Sequence, residues 1–249
     1  MTTRLPLLAG AFLAALALGA CAEVPTNPDE RAEFESMNDP MEPLNRQIFD
    51  LNMALDRAIM KPVAKFYNEQ VPDSARQSIH SAFNNLREPY IFINDVLQGE
   101  PHQAADALGR FMVNTTFGVL GLFDVVADSG GAQFADSDFG ETLAVWGMPE
   151  GPYLMLPFFG PSNPRDAMGT AVGFVGDPVG DAVYVYSAGA AYGLGGGNMV
   201  DSRAQVVDEL DDVERNSIDF YAAIRSLYRQ QRASELAKKG VRSPEEVLP

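Results

Sequence analysis

The sequence predicts a mainly α body made of many short helices, with one short hairpin and a long helix towards the C-terminus. Apolar residues recur at spacings of three and four along several stretches, the mark of a helical face. Proline and glycine, 17 and 22 residues of 249, punctuate those stretches and cut them short. Only one stretch carries a hairpin pattern. Hydrophobic residues make up 46% of the chain, too many for a mostly disordered one.

The chain opens with a targeting segment. Arg4 is the only charge in the first twenty residues, residues 7–18 are almost wholly apolar, and Gly19 and Ala20 are small. That is the layout of a secretory signal over residues 1–20. It is too short for a comfortable membrane span, which takes about 20 apolar residues. The sole cysteine, Cys21, comes next, so no internal disulfide can form. Leu18-Gly19-Ala20-Cys21 resembles the lipobox of bacterial lipoproteins. The resemblance implies cleavage before Cys21, a diacylglycerol on its sulfur and an acylated (palmitate-type) amine. Acyl chains hold a protein to a bilayer at about 0.8 kcal/mol per buried CH₂. Ala22, where an aspartate would favour retention at the inner membrane, implies the outer membrane. Residues 21–38 are polar and acidic with Pro25 and Pro28, and read as a tether. The folded body is expected over 39–235, followed by a polar tail over 236–249.

Within the body, Asp39-Pro40 reads as an N-cap and first helical residue. Leu44, Ile48, Leu51, Leu55 and Ile59 then form an apolar stripe, with Phe49 and Asn52 on a face offset from it. Pro62 is expected to interrupt this helix, and Glu88-Pro89 to break the one carrying Ile79, Phe83 and Leu86. Residues 90–97 and 117–127 are nearly unbroken apolar runs, and 128–141 is an acidic, glycine-containing loop. Thr142–Trp146 and Tyr153–Leu156 flank Gly147–Pro152, which reads as a hairpin. Gly193, Gly195, Gly196 and Gly197 read as a flexible loop. Val206, Leu210, Val213, Ser217, Tyr221, Ile224 and Tyr228 share one face of a long final helix.

Charge and motif content exclude several functions. The formal net charge is −16, with 34 acidic against 18 basic residues, which argues against nucleic acid and against a polybasic lipid contact. His80 and His102 are the only histidines and form no His-Glu-x-x-His. There is no Gly-x-Ser-x-Gly elbow. Asp136-Ser137-Asp138 lacks the spaced oxygens of a calcium loop. The chain is therefore read as a non-enzyme without cofactor or metal. Two readings of its apolar runs stay open: a compact core of short buried helices, or short helices lying in one membrane leaflet.

The ordered motifs carry a resemblance. Asn38-Asp39-Pro40-Met41-Glu42-Pro43-Leu44-Asn45-Arg46 is followed by Phe49 and Asn52, then by Asn85-Leu86-Arg87-Glu88-Pro89 and Leu97-Gln98-Gly99. Arg110-Phe111, Asn114-Thr115, Phe123-Asp124-Val125 and Asp138–Leu143 come next. Trp146-Gly147, Gly151-Pro152-Tyr153, Leu156-Pro157, Gly160-Pro161-Ser162 and Arg165-Asp166 complete the series. In this the chain resembles the MlaA (VacJ) family of outer-membrane lipoproteins over roughly residues 38–180. The resemblance implies a ring of amphipathic helices at the periplasmic leaflet, lipid-anchored, enclosing a channel for phospholipid. Mislocalised phospholipids would pass through it to a soluble periplasmic carrier, beside a trimeric porin, preserving lipid asymmetry. The first helix, with Leu44, Asn45, Ile48, Phe49, Leu51 and Asn52, would seat the ring. Phe139, Gly140, Leu143, Trp146, Gly147, Gly151, Pro152, Tyr153, Leu156 and Pro157 would form a channel mouth or movable hairpin. The alternative is a lipoprotein scaffold that tethers a partner without moving lipid.

Mass spectrometry of the N-terminal peptide is expected to show Cys21 as the first, acylated residue. An unmodified thiol or another cleavage site overturns that assignment.

Overall fold

The computed structural model describes Asn27 and residues 37–241; the signal segment, Cys21, most of the tether and residues 242–249 lie outside the described residues. Met41 caps the first helix, α1 (Glu42–Leu55), and Pro43 occupies its first turn, where a missing N–H costs nothing. A π-helical turn (Asp56–Met60) runs straight into α2 (Lys61–Gln70). Pro62 is absorbed there, because it falls in the first turn of α2 and the wider π turn precedes it. A 26-residue helix, α3 (Asp73–Gln98), turns at Gly99 and returns as α4 (Pro101–Thr116). The remaining elements are α5 (Val125–Asp128), α6 (Phe139–Val145), β1 (Leu154–Leu156), β2 (Gly160–Ser162) and α7 (Pro164–Gly176). They are followed by α8 (Pro178–Tyr186), α9 (Ala188–Gln205), α10 (Val207–Asn216) and α11 (Phe220–Lys238).

Several sequence expectations are corrected. Pro89 sits inside α3 without ending it. An interior proline costs about 3 kcal/mol, and α3 offsets this through contacts along α4, including Arg110 Nε donating to Glu88 at 2.6 Å and Asn85 Nδ2 to Thr115 at 2.9 Å. The hairpin lies further along than the pattern suggested. Residues 142–145 belong to α6, which Asp138 caps by accepting from Glu141 N, and β1 pairs antiparallel with β2 around Pro157-Phe158-Phe159. The short apolar run Leu143–Val145 is a buried helix turn, an ambiguity that periodicity cannot resolve.

The glycine run 193–197 is helical, within α9. A side chain built at Gly197 would meet Phe83 at 3.2 Å, so small residues there let α9 approach α3. The long final helix is two helices, parted between Asn216 and Phe220. Asp39 is no cap; it is a buried acceptor described below. The body also runs past residue 235: Leu236 is buried, and Lys239 Nζ reaches Asp95 at 3.0 Å.

The interior is inverted. Its largest buried cluster of apolar side chains is only Phe49, Tyr153, Met155 and Tyr221. Most other fully enclosed side chains are polar or charged, among them Glu88, Asn94, Arg110, Thr142, Arg165 and Asp201. The apolar side chains point outward instead: Phe117 is 74% exposed, Leu120 72% and Val185 79%. On α1 the same division holds, with Asn45 and Phe49 buried while Leu51 of the apolar stripe is 49% exposed. The compact apolar core expected as one reading is therefore absent among the described residues. Contiguous exposed apolar surface of this kind marks a protein or membrane contact. No described helix is long and apolar enough to cross a membrane.

A shortened protein beginning at Asn38, without acyl chains, is expected to need detergent in solution. A soluble monomer in plain buffer would show that the exposed apolar surface does not meet lipid.

Candidate functional site

Three asparagines seven residues apart bind the start of the body to the strand region. Asn38 Nδ2 donates to Gly151 O at 2.7 Å and Asn38 O accepts from Tyr153 N at 2.7 Å. Asn45 Nδ2 donates to Tyr153 O at 3.1 Å, and its Oδ1 accepts from Met155 N at 2.9 Å. Asn52 repeats the pattern one step on, with Leu156 O and Phe158 N both at 2.9 Å. On α1, a seven-residue step returns almost to the same face, and a carboxamide offers one donor and one acceptor side by side. Asn45 and Asn52 thus act as a substitute strand along the free edge of β1.

At the end of this latch the backbone turns. Phe158 has φ +69°, and Phe158 and Phe159 stand 64% and 58% exposed. Behind them lies a cavity of ≈ 570 Å³. Its walls are mostly apolar and include Phe49, Met53, Met60, Met155, Met199 and Ile224. Methionines suit a cavity that must accept flexible apolar chains, since the unbranched thioether adapts to irregular shapes. The π turn brings Asp56 and Met60 to this wall. Asp56 is held by Arg203, whose Nε and Nη2 donate at 2.7 and 2.9 Å.

The rest of the site is framed by buried ion pairs. Asp39 accepts from Asn45 Nδ2 at 2.7 Å, from Arg225 Nη1 at 2.7 Å and from the Tyr221 hydroxyl. Arg110 holds Glu88 and Asp124 together. Arg232 ties α6, α7 and α11 through Asp138 at 2.9 Å and Asp166 at 3.0 Å. Gly140 and Gly169 let α6 and α7 meet, since a Cβ at Gly169 would stand 2.4 Å from Gly140 N. No group of three or more metal-binding side chains is found among the described residues.

The expected site residues fall into separate groups. Phe49 and Asn52 line the cavity. Leu44 and Ile48 are half-buried, Ile48 against the core cluster, and Leu51 is exposed, while Asn45 belongs to the latch. Leu156 and Pro157 belong to the hairpin. Tyr153 is a core residue, and Gly147 and Gly151 supply positive φ in the connection between α6 and β1. Pro152 follows Gly151 in that connection, and Leu143 is half-buried on α6. Phe139 meets Trp146 edge to face at 5.9 Å, and Trp146 Nε1 donates to Leu97 O at 3.0 Å, away from the cavity. The four methionines and Arg203 were missed as cavity residues. Val206, Leu210, Ile224 and Tyr228 do wall it, and their shared helical phase was the usable signal.

Glu141 is buried beside Asp138, and burial followed by that neighbouring charge pushes its carboxyl up to about 7, against the pull of Arg232. Below its unfolded value the protonated group contributes stability in full. As pH rises through 7 that contribution, of order 3 kcal/mol, is lost. Glu141→Gln is therefore expected to raise the thermal midpoint in detergent at pH 8 and to change it little at pH 4. A difference independent of pH would instead mark Glu141 as an ionised partner of Arg232.

The comparisons with known proteins agree with this architecture. The family described as MlaA lipoprotein matches residues 37–235. The intermembrane phospholipid transport system lipoprotein MlaA of Haemophilus influenzae is 32% identical over 88% of this chain and 86% of its own. That of Escherichia coli K12 is 32% identical, covering 94% and 92%. A solved structure described as "Structural basis for maintenance of bacterial outer membrane lipid asymmetry" superposes with a TM-score of 0.67 at 33% identity, over 80% of this chain and 98% of that one. Matched by the family over residues 37–235 and by relatives at 32% identity over most of its length, the chain belongs to the MlaA lipoprotein family.

Proposed function

We propose that this protein is an outer-membrane lipoprotein, anchored at the periplasmic face through Cys21, that removes mislocalised phospholipids from the outer leaflet. It passes them to a soluble periplasmic carrier and works beside a trimeric porin. The observation that carries the reading is the methionine-lined cavity set into a body that exposes many large apolar side chains and buries many polar ones. An outward apolar surface suits helices lying in one leaflet, and α1, with Leu51 turned outward, seats them. The cavity gives acyl chains a route that does not cross the polar interior. At 570 Å³ it falls in the range of sites that enclose a ligand rather than merely touch one. The transport-system lipoproteins of H. influenzae and E. coli support the same reading by their names.

The hairpin is the movable wall. Its tip presents Phe158 and Phe159 at the cavity, and Asn52 is the last polar contact holding that tip to α1. Asn52 makes two hydrogen bonds to the hairpin, and the loss of each costs about 0.5–1.5 kcal/mol, enough to change how often such an element opens.

The full lipidated protein purified in detergent is expected to carry phospholipid. Cells with Asn52→Ala at matched protein levels are expected to show several-fold altered outer-leaflet phospholipid. A protein that carries no lipid, with an outer leaflet indifferent to its deletion, would instead be a tethering scaffold.

A further inference from the structure

The apolar cavity has a polar neighbour. Pro161, Tyr228 and Gln231 wall both the cavity and a second compartment of ≈ 210 Å³, whose other walls include Asp138, Asp166, Arg232 and Glu235. An apolar space and a polar one sharing a wall match the two halves of a phospholipid. The polar side chains decide which head group fits.

Most donors of this compartment are already committed. Arg232 Nε donates to Asp166 at 3.0 Å, Nη1 to Asp138 at 2.9 Å and Glu235 at 3.2 Å, and Nη2 to Asp138 and Asp166 at 2.9 and 3.0 Å. Those are all five guanidinium N–H groups. The Tyr228 hydroxyl donates to Asp166 at 2.6 Å and Gln231 Nε2 to Glu235 at 3.0 Å. The hydroxyls of Ser162 and Thr170 are given to backbone oxygens. What is left over, besides one N–H of Gln231, is acceptor oxygen: three carboxylates face one guanidinium. Asp138 and Glu235 keep 40% and 33% of their side-chain surface accessible. Against Arg232, Glu141 is only 4% exposed and its Oε2 has no partner. A phosphate finds only the second N–H of Gln231 here, whereas a cation with N–H groups finds several acceptors.

Resting on the phospholipid reading of the apolar cavity, we propose that this compartment receives the primary ammonium of an ethanolamine-type head group while an acyl chain occupies the cavity. The path then favours zwitterionic aminophospholipid over anionic phosphatidylglycerol. A quaternary choline head has no N–H to give and takes an intermediate place.

The test is competition. Full lipidated protein in detergent is equilibrated with equal amounts of phosphatidylethanolamine, phosphatidylcholine and phosphatidylglycerol of one acyl composition. Bound lipid is then counted by mass spectrometry. The expected result is about tenfold enrichment of the ethanolamine lipid over the glycerol lipid, the effect of ~1.4 kcal/mol. Glu235→Gln is expected to move that ratio several-fold towards the input, with Glu235→Asp restoring it. If the variants do not fold, the wild-type ratio alone decides. Bound lipid in the input ratio overturns the head-group compartment and leaves the conduit standing. Choline lipid enriched equally with ethanolamine lipid overturns the hydrogen-bonding assignment. No bound lipid at all overturns the conduit as well.

Discussion

A body that turns its apolar side chains outward has to satisfy its polar groups inside itself. An unpartnered charge or amide in a low-dielectric surrounding costs several kcal/mol, and water is not there to relieve it. Much of the interior follows from that one constraint. Asp39 receives donors from Asn45, Tyr221 and Arg225 and joins the first helix to the last. Arg110, 3% exposed, closes α3 and α4 over the apolar loop at 117–123 by holding Glu88 and Asp124. Arg232 does the same for α6, α7 and α11. Buried pairs add little net stability over apolar packing, but removing one partner is costly, about 3–5 kcal/mol. They act as joints with one permitted geometry, which a ring of short helices needs more than it needs adhesion.

The same constraint explains the irregular backbone. Val119 and Leu120 adopt φ +53° and +60°, a conformation that β-branched residues avoid, in a loop whose side chains are exposed. Gly121 follows at φ +87°, and a side chain there would strike Asn85 at 2.4 Å. The turn is held by backbone bonds from Leu120 N to Thr115 O and from Gly121 N to Asn114 O. Phe117, Leu120 and Phe123 are thereby displayed outward without leaving those amides unpaired. Strain of one to a few kcal/mol persists only where the surroundings over-determine it, and here the α3–α4 joints do so.

Much of this was legible in the sequence, and what was not has a physical cause. Helical spacing placed α1 and the apolar face of α10 and α11, and the alternation around residue 154 hinted at β structure. The ordered motifs pointed to the family. Many of their residues, including Asp39, Asn45, Glu88, Arg110, Asn114 and Asp124, form the polar joints rather than the cavity. Periodicity failed in three places, each where tertiary contact outweighs local preference. Pro89 and the 193–197 glycines sit inside helices that neighbours support, and Leu143–Val145 is helical although its composition suits a strand. The inversion itself was hidden, because a stripe of leucines reads the same whether it faces a core or a lipid. The cavity escaped for a related reason: Met53, Met60, Met155 and Met199 come from four separate elements and meet only in the fold.

The latch between α1 and β1 connects these levels. A two-stranded sheet is marginal on its own, and this one has only three residues in each strand. Its outer edge would be left with unpaired amides were Asn45 and Asn52 not there to meet them. Because those carboxamides project from α1, the position of the hairpin follows the position of that helix, on which Leu51 is exposed. A displacement of α1 would be passed through Asn52 to Phe158, and so to the mouth of the cavity. α1 and the hairpin that walls the cavity are thus joined by side-chain hydrogen bonds as well as by the packing of Phe49 against Tyr153 and Met155. The hydrogen bonds fix the register of the hairpin on α1, while the buried ion pairs keep the frame in place.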